Sequence, residues 1–169
     1  MTHSTAVLLT AEGETAQGLL EDFARSLKAK GLRVGGLVQH SHRNAESELI
    51  SMELVDLETG ATLPIEQNLG SGAACSIDPQ AMAAACQTVR RAVEQGFDLV
   101  VVNKFGHLEV EGGGLADETM LAMAEGRALL LAVSPKYLDR WQIFCGGLCE
   151  LLPLEAAALE AWWSRLQAP

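Results

Sequence analysis

Residues 97–115 read Phe-Asp-Leu-Val-Val-Val-Asn-Lys-Phe-Gly-His-Leu-Glu-Val-Glu-Gly-Gly-Gly-Leu, and this stretch decides the fold class. The apolar run Leu99–Val102 is typical of a strand buried on both faces of a parallel sheet. The run stops at Asn103 and Lys104, which are followed by acidic residues and three glycines. Because ligands of open α/β sheets lie beyond the carboxyl ends of the strands, we expect the functional edge of the sheet here. The alternative is a surface loop in which the glycines only make turns.

The composition is that of one globular domain over residues 1–169, with 49% hydrophobic and 20% charged residues. The formal net charge of −10 argues against a nucleic-acid groove or an anionic membrane surface as partner, since both require an excess of Lys and Arg. No apolar stretch approaches the roughly 20 residues that span a bilayer. The first residues lack the charged and apolar regions of a secretory signal, so we expect a cytoplasmic protein.

The order of apolar runs predicts alternating strands and helices. A strand over residues 6–10, a helix over 16–30 and a strand over 32–39 predict a βαβ unit. Residues 40–48 predict a polar loop, and residues 49–57 and 61–65 predict an antiparallel hairpin at the sheet edge. We expect a helix that starts at Asp78-Pro79 and ends at Gly96, then helices over 115–125, 137–144 and 154–166, and a strand over 128–133. The predicted fold class is α/β, three-layered, with a mainly parallel sheet.

A glycine-spaced segment follows the first predicted strand and reads Gly13-Glu14-Thr15-Ala16-Gln17-Gly18. Its spacing is that of the Walker A phosphate loop, but Leu19 and Leu20 replace the Lys and the Ser or Thr that complete the motif. Backbone N–H groups and the start of the following helix still attract an anion, although Glu14 adds negative charge. The segment therefore reads as a degenerate Walker A loop.

Several landmarks together resemble a known family. Val34-Gly35-Gly36, the turn Leu57-Glu58-Thr59-Gly60 and the strand end at residues 103–106 are similar, in this order, to P-loop nucleoside triphosphatases related to thermophilic nucleotide phosphatases. The resemblance is closer to an uncharacterised bacterial domain of unknown function that is often met beside molybdenum-related genes. The landmarks of that branch are Gly36-Leu37-Val38-Gln39, residues 68–70, 75–79 and 102–106, Glu109, residues 111–115 and Trp162-Trp163.

The resemblance implies a P-loop NTPase type of fold and a ligand site at the carboxyl edge of the sheet. Asn103 stands where a Walker B aspartate holds Mg²⁺, and Lys104 stands where a catalytic glutamate orients water. We therefore expect no catalytic residues and little or no hydrolysis of nucleoside triphosphates. The expected ligand is a nucleotide or a small oxyanion such as phosphate, sulfate or molybdate. The missing acids argue against bound Mg²⁺. The candidate ligand-binding residues are Gly13, Glu14, Thr15, Ala16, Gln17, Gly18, Gln39, Asn103, Lys104, Gly106, His107, Glu109, Gly112, Gly113 and Gly114.

Lys104 can supply the positive charge that the Walker A segment lacks, and the alternative is a solvated lysine in a surface loop. We expect it to pair with an anionic ligand, or with Glu109 or Glu111 when no ligand is present. We expect Glu109 and Glu111 to point the same way on an extended segment. His107 is a candidate donor on the ligand side. The alternative function is an active nucleoside triphosphatase with altered catalytic residues, and a further alternative is a metal-handling or interaction module based on cysteines.

The four cysteines are expected to be reduced thiols. Cys75 is the candidate functional thiol and metal ligand, because it lies just before the predicted helix start at Asp78, where a thiolate is stabilised. The pair Cys145 and Cys149 forms half a metal site at most, and core packing is the favoured interpretation. The three tryptophans predict either a cover for the sheet or a contact in a homo-oligomer.

Overall fold

The computed structural model describes residues 2–10, 13–67 and 76–169. The strands are β1 (Thr5–Leu9), β2 (Val34–Arg43), β3 (Leu49–Asp56), β4 (Thr62–Pro64), β5 (Glu66–Gln67), β6 (Ser76–Ile77), β7 (Leu99–Val102), β8 (Leu129–Val133) and β9 (Glu150–Leu152). The helices are α1 (Gly13–Ala29), α2 (Pro79–Glu94), α3 (His107–Val110), α4 (Ala116–Ala124), α5 (Leu138–Cys145) and α6 (Ala156–Gln167), and a 3₁₀ turn covers Pro135–Tyr137.

Seven strands form one sheet in the order β4-β3-β2-β7-β8-β1-β9. Strands β2, β7, β8, β1 and β9 run parallel to one another. Strands β3 and β4 are antiparallel to their neighbours and lie at one edge. A separate antiparallel pair is formed by β5 and β6. The predicted class, a three-layer α/β fold with a mainly parallel sheet and an antiparallel edge hairpin, is confirmed.

Strand β7 lies at the centre and is buried on both faces, as its apolar run predicts. Leu99 and Val101 belong to the core on the side of α1 and α6, and Val100 and Val102 belong to the core on the opposite side. All four side chains are fully buried. The side-chain period of two thus divides one continuous apolar run between two helix layers.

The two glycines of β2 permit close packing, as the sequence predicts. A Cβ on Gly35 would lie 2.7 Å from the Cβ of Ala92 on α2. Gly36 has a φ of +103°, and a Cβ there would lie 1.9 Å from the carbonyl oxygen of Val101. Only glycine fits at Gly36, because both the backbone conformation and the neighbouring strand exclude a side chain.

The predicted phosphate loop is wrong as a local structure, because α1 begins at Gly13 and includes residues 13–18. The apolar stripe of α1 starts at Ala16 and continues through Leu20, Ala24 and Leu27, all fully buried. Ala16 therefore belongs to the core-facing side of the helix, and the helix extends almost one turn before it.

Two further local predictions are corrected. Residues 40–43 are not a loop but the end of β2, which pairs with β3 as far as Arg43 opposite Leu49. Backbone pairing accommodates these polar residues because none of them is fully buried: His40 and Ser41 are half-buried, and His42 and Arg43 are exposed. Glu109 and Glu111 do not share an extended segment: Glu109 lies in α3 and Glu111 is the residue after it. The short elements α3 and β9 have too few residues to show a periodicity.

Trp162 and Trp163 are buried against the face of the sheet that α1 also covers. Trp141 is buried on the opposite face. The tryptophans therefore cover the sheet, and a homo-oligomer stays a prediction.

None of the helices within residues 2–10, 13–67 and 76–169 is long and apolar enough to cross a membrane.

Candidate functional site

Three amide side chains join the carboxyl ends of β2 and β7 to the first turns of α1. Gln17 donates from Nε2 to the carbonyl oxygen of Asn103 at 2.7 Å and accepts at Oε1 from the N–H of Gln39 at 2.8 Å. Asn103 Nδ2 donates to Gln39 Oε1 at 3.2 Å. Gln17 and Asn103 are both buried. We call these three residues the amide network, and it holds the strand ends in place with neutral groups.

Lys104 follows Asn103 in the chain, and it is exposed. Among the described residues, no carboxylate lies within ion-pair distance of its ammonium group. The expected pairing with Glu109 or Glu111 is therefore wrong. The reason for Glu109 is geometric, since that carboxylate already accepts two backbone N–H groups.

A small cavity of about 230 Å³ lies at the carboxyl ends of β1, β7 and β8. We call it the strand-end cavity; it is lined by Thr10, Lys104, Phe105, Gly106, His107, Ala132, Ser134 and Tyr137. Backbone hydrogen bonds from Thr10 to Val133 (3.1 Å) and from Phe105 to Ala132 (2.9 Å) fix its walls.

Thr10 carries the most informative atom of the strand-end cavity. Its side chain is 1% exposed, and its Oγ1 has no hydrogen-bond partner among the described residues. Buried hydroxyl groups are nearly always satisfied, because an unpaired one costs about 1–3 kcal/mol. Because Thr10 is also one of the residues that line the strand-end cavity, its hydroxyl is the candidate hydrogen-bonding group for a ligand oxygen or a water there.

A second cavity of about 490 Å³ lies on the other side of Lys104 and His107. We call it the apolar cavity; it is lined by Gln39, Met52, Leu54, Ile65, Ile77, Met82, Asn103, Lys104, His107, Leu108, Glu109 and Leu115. Its walls include residues of β3 and β6, Ile65 just before β5, and the first turn of α2. The two cavities share Lys104 and His107, so these side chains form the boundary between them.

A third cavity of about 420 Å³ lies above the polar end of β2. Its wall includes Gln17 and Gly18, and also Glu21, which lies 2.7 Å from His40 Nε2. Lys104 lines this cavity as well. Lys104 is thus the cation at which all three cavities meet.

Glu109 is a structural carboxylate. It is buried, and it accepts from the N–H of Gly106 at 2.8 Å and from the N–H of Leu115 at 3.0 Å. The contact with Gly106 caps the start of α3, and the contact with Leu115 ties the start of α4 to α3. Although Glu109 lines the apolar cavity, both of its oxygens are already hydrogen-bonded.

The glycine run has a structural reason. Gly112 and Gly114 have φ values of +85° and +54° in the turn between α3 and α4. A Cβ on Gly114 would lie 1.8 Å from Glu109 Oε2, so a side chain there would displace the carboxylate. Gly112, Gly113 and Gly114 line none of the three cavities described above. Their ligand-binding role stays a prediction, and the turn-making alternative accounts for their conformation.

Five of the candidate residues lie together at the carboxyl edge of the sheet. Gln39, Asn103, Lys104, Gly106 and His107 converge on the cavities at the carboxyl edge, as the position of β7 predicts. Cys75 lies outside the described residues, and the rest of the described chain holds no cluster of three or more His, Cys, Asp or Glu side chains that fits a metal ion.

Thr10, Ser134 and Tyr137 are cavity residues that the sequence reasoning missed. Thr10 directly follows β1, and Ser134 directly follows β8. The rule that ligands lie beyond strand ends predicts such positions once every parallel strand is considered, and not only β7.

The paired cysteines belong to the core, as predicted. Cys145 is buried, and its Sγ lies 3.7 Å from that of Cys149. Burial raises the pKa of the Cys149 thiol to about 11, although the hydrogen bond from Trp141 Nε1 at 3.3 Å opposes the shift. Burial, together with the carboxylate of Glu118, also raises the pKa of the Cys86 thiol to about 11. The thiols of Cys149 and Cys86 therefore stay protonated near neutral pH and are poor nucleophiles.

Comparison with known proteins adds three findings. The structure is similar to the crystal structure of THEP1 from the hyperthermophile Aquifex aeolicus, with a TM-score of 0.72 over 97% of this chain and 99% of that chain. The two sequences are 14% identical, so this similarity shows the fold alone, which is of the P-loop NTPase type.

The chain is also 40% identical over 159 residues to a protein of Bradyrhizobium diazoefficiens named molybdenum import ATP-binding protein ModC 2. The match covers 94% of this chain but 18% of that protein. The model of a family described as "Protein of unknown function (DUF2478)" matches residues 5–162, nearly the whole chain. The resemblance drawn from the sequence is thereby confirmed, and the chain belongs to the DUF2478 family with a P-loop NTPase type of fold.

Proposed function

We propose that this protein binds a phosphate-like anion, the phosphate group of a nucleotide or a small oxyanion, in the strand-end cavity, with little or no hydrolysis of nucleoside triphosphates. The observation that carries the proposal is the position of Lys104 beside Thr10. Both residues line this cavity, and within the described part of the chain Lys104 has no acidic partner and the buried hydroxyl of Thr10 has no hydrogen-bond partner.

The electrostatics of the cavity favour an anion. The whole chain has a formal net charge of −10, yet the described residues that line the strand-end cavity include no Asp or Glu. The start of α1 follows the end of β1 by only three residues, so the positive end of a 17-residue helix is also near Thr10. Lysine, hydroxyl and helix terminus are three groups that proteins use to hold phosphate.

The residues next to the strand-end cavity also support binding without efficient catalysis. Hydrolysis of a nucleoside triphosphate requires groups that hold Mg²⁺ and orient the attacking water, and these groups are usually carboxylates. Asn103 occupies the end of β7 as a neutral member of the amide network. Glu109, the first carboxylate after Asn103 along the chain, accepts from the N–H groups of Gly106 and Leu115.

The similar proteins suggest which anions to test. The relative from Bradyrhizobium diazoefficiens is named as an ATP-binding protein of molybdenum import. ATP and molybdate are therefore the first candidates for this chain, and phosphate, sulfate and tungstate are the chemical comparisons. All of them present oxygens with negative charge that can accept from Lys104 and Thr10.

Titration calorimetry against ATP with and without Mg²⁺, and against each oxyanion, tests the proposal. At least one anion should bind. Lys104→Ala should weaken it about 10- to 100-fold, since a hydrogen bond to a charged group contributes about 1.5–3 kcal/mol. Thr10→Val should weaken it less, and Lys30→Ala, which removes an exposed lysine at the end of α1, should not change it.

Two results would overturn the proposal. One is the absence of binding by every anion of the panel at millimolar concentration. The other is Mg²⁺-dependent turnover of ATP by the purified protein, lost on substitution within residues 13–18, which would establish the active triphosphatase instead.

A further inference from the structure

The apolar cavity extends the proposed site beyond the phosphate group, and we infer that the ligand is an organic anion with a flat apolar body rather than a bare inorganic oxyanion. This inference rests on the proposed function. The charged group of the ligand lies on Lys104, and its ring system lies in the apolar cavity.

Size is the first argument. The strand-end cavity of about 230 Å³ has room for a phosphate-like group, whereas the neighbouring apolar cavity of about 490 Å³ is in the range of small-molecule sites. An inorganic oxyanion on Lys104 leaves this larger space unused. A ligand that fills both spaces removes more apolar surface from water.

The composition of the walls is the second argument. The side chains that face the apolar cavity are chiefly aliphatic or methionine; they are Met52, Leu54, Ile65, Ile77, Met82, Leu108 and Leu115. Polar side chains lie at one end, where Gln39 and Asn103 join Lys104 and His107. Sites for organic ligands have this organisation, an apolar body with a few polar groups that fix the orientation.

The two methionines favour a ring as the occupant. Met52 and Met82 are half-buried and approach the cavity from β3 and from α2. Met52 Sδ accepts a hydrogen bond from Gln39 Nε2 at 3.4 Å, which holds it next to the polar end. Methionine side chains adapt their shape and make favourable contacts between sulfur and aromatic rings.

The charge distribution fixes the orientation of the ligand. Lys104 lines both cavities and has no acidic partner among the described residues, so it is the position for the negative group. Glu109 is the carboxylate on the wall of the apolar cavity, but its oxygens accept from Gly106 and Leu115. Because Glu109 is buried and held by these two N–H groups, the exposed ammonium group of Lys104 is the charge that a ligand meets, and the cavity favours an anion.

The test uses 8-anilinonaphthalene-1-sulfonate, which joins aromatic rings to one sulfonate, and sulfate as the charged group alone. Fluorescence titration should give one bound dye per chain, at least about tenfold tighter than sulfate measured by calorimetry, because ring burial adds to the charge contact. Lys104→Ala should weaken both the dye and sulfate about tenfold or more.

Met82→Trp fills the apolar cavity and should weaken the dye at least about tenfold while sulfate binding is unchanged. Met120→Trp is the matched control, because Met120 is an exposed methionine of α4 that does not line the cavity. Met52→Phe is a second cavity-filling variant for the case that Met82→Trp does not fold, and near-ultraviolet circular dichroism reports the folded state of each.

The outcomes separate the two proposals. Dye binding that is no tighter than sulfate binding, or that is unchanged in both cavity-filling variants, overturns the organic-anion inference while Lys104-dependent sulfate binding keeps the proposed function. If Lys104→Ala changes neither sulfate nor dye binding, the proposed function fails, and the inference fails with it.

Discussion

The buried carboxylate of Glu109 permits the sharpest prediction about stability. Its two oxygens accept from the N–H of Gly106 at 2.8 Å and from the N–H of Leu115 at 3.0 Å, so one side chain connects the start of α3 to the start of α4. In Glu109→Gln one oxygen remains as an acceptor, whereas the other position becomes an NH₂ group that faces a backbone N–H. The substitution keeps the shape of the side chain and removes one of its two contacts.

The expected magnitude follows from these two contacts. One charge-assisted hydrogen bond is lost, one becomes a neutral hydrogen bond, and one backbone donor is left buried without a partner. Together these changes should cost about 3 kcal/mol, since a hydrogen bond to a charged group contributes about 1.5–3 kcal/mol and an unsatisfied buried donor costs about 1–3 kcal/mol. For a domain of this size the Tm should fall by about 6–12 °C.

Urea unfolding followed by circular dichroism measures the effect. The midpoint should fall by at least about 1 M with an unchanged slope, because the slope for a domain of this kind is about 1–3 kcal/mol per M. Glu111→Gln is the matched control, since Glu111 is an exposed acid two residues away and the substitution changes the net charge equally. The control should stay within about 0.5 kcal/mol of the parent protein.

A change of less than about 0.5 kcal/mol in Glu109→Gln would refute the structural role of the carboxylate. If stability were unchanged but anion affinity changed, Glu109 would instead be a ligand-binding residue, as the sequence suggested.

Three further predictions concern the fold and the thiols. Gly36→Ala should unfold the protein or destabilise it by at least about 3 kcal/mol, since the new Cβ would lie 1.9 Å from the carbonyl oxygen of Val101. Gly60→Ala, at a φ of +80° with no atom within 4 Å, should cost about 1 kcal/mol. Equal losses of stability in thermal unfolding of the two variants would contradict the close packing at Gly36. Gln17→Leu should lower stability in urea by about 2–4 kcal/mol, because it leaves a buried carbonyl oxygen and an N–H group unpaired; an unchanged midpoint would exclude the amide network as a structural element. At pH 8 Cys149 should be alkylated about 100-fold more slowly than an ordinary thiol, and the rate should increase until the pH reaches about 11, because its pKa is raised and the reactive thiolate forms only there. Mass spectrometry of the labelled peptides measures the rate of alkylation. Fast labelling at pH 8 would refute the raised pKa.

The fold class and the order of the main elements were largely predictable from the sequence, and the reason is local. The apolar run of β7 is continuous because both faces of that strand are covered, and Gly96 and Gly126 end helices in the conformation expected of them. The start of α2 at Asp78-Pro79 was predictable for the same reason, since the Asp78 side chain accepts from the N–H of Gln80 at 2.9 Å.

The failures share a different cause, because each depends on pairing or packing that the spacing and composition of the segment do not reveal. Residues 40–43 look like a polar loop until β3 pairs with them. Residues 13–18 have the spacing of a phosphate loop, yet the stripe that starts at Ala16 places them in a helix. Glu109 looks like a free acid beside three glycines until the turn brings the N–H of Leu115 to it.

The sequence by itself determined the α/β class, the order of the main elements and the edge of the sheet where Asn103 and Lys104 lie, because hydrophobic periodicity, caps and turns are local properties. Only the tertiary structure decided which of those residues are free to meet a ligand. It engaged Glu109 in backbone hydrogen bonds, left Lys104 without an acidic partner among the described residues, and placed the buried hydroxyl of Thr10 in the same cavity. Such outcomes depend on which strand ends lie next to each other in space, and the sheet order β7-β8-β1 brings together residues that lie more than 90 positions apart in the sequence.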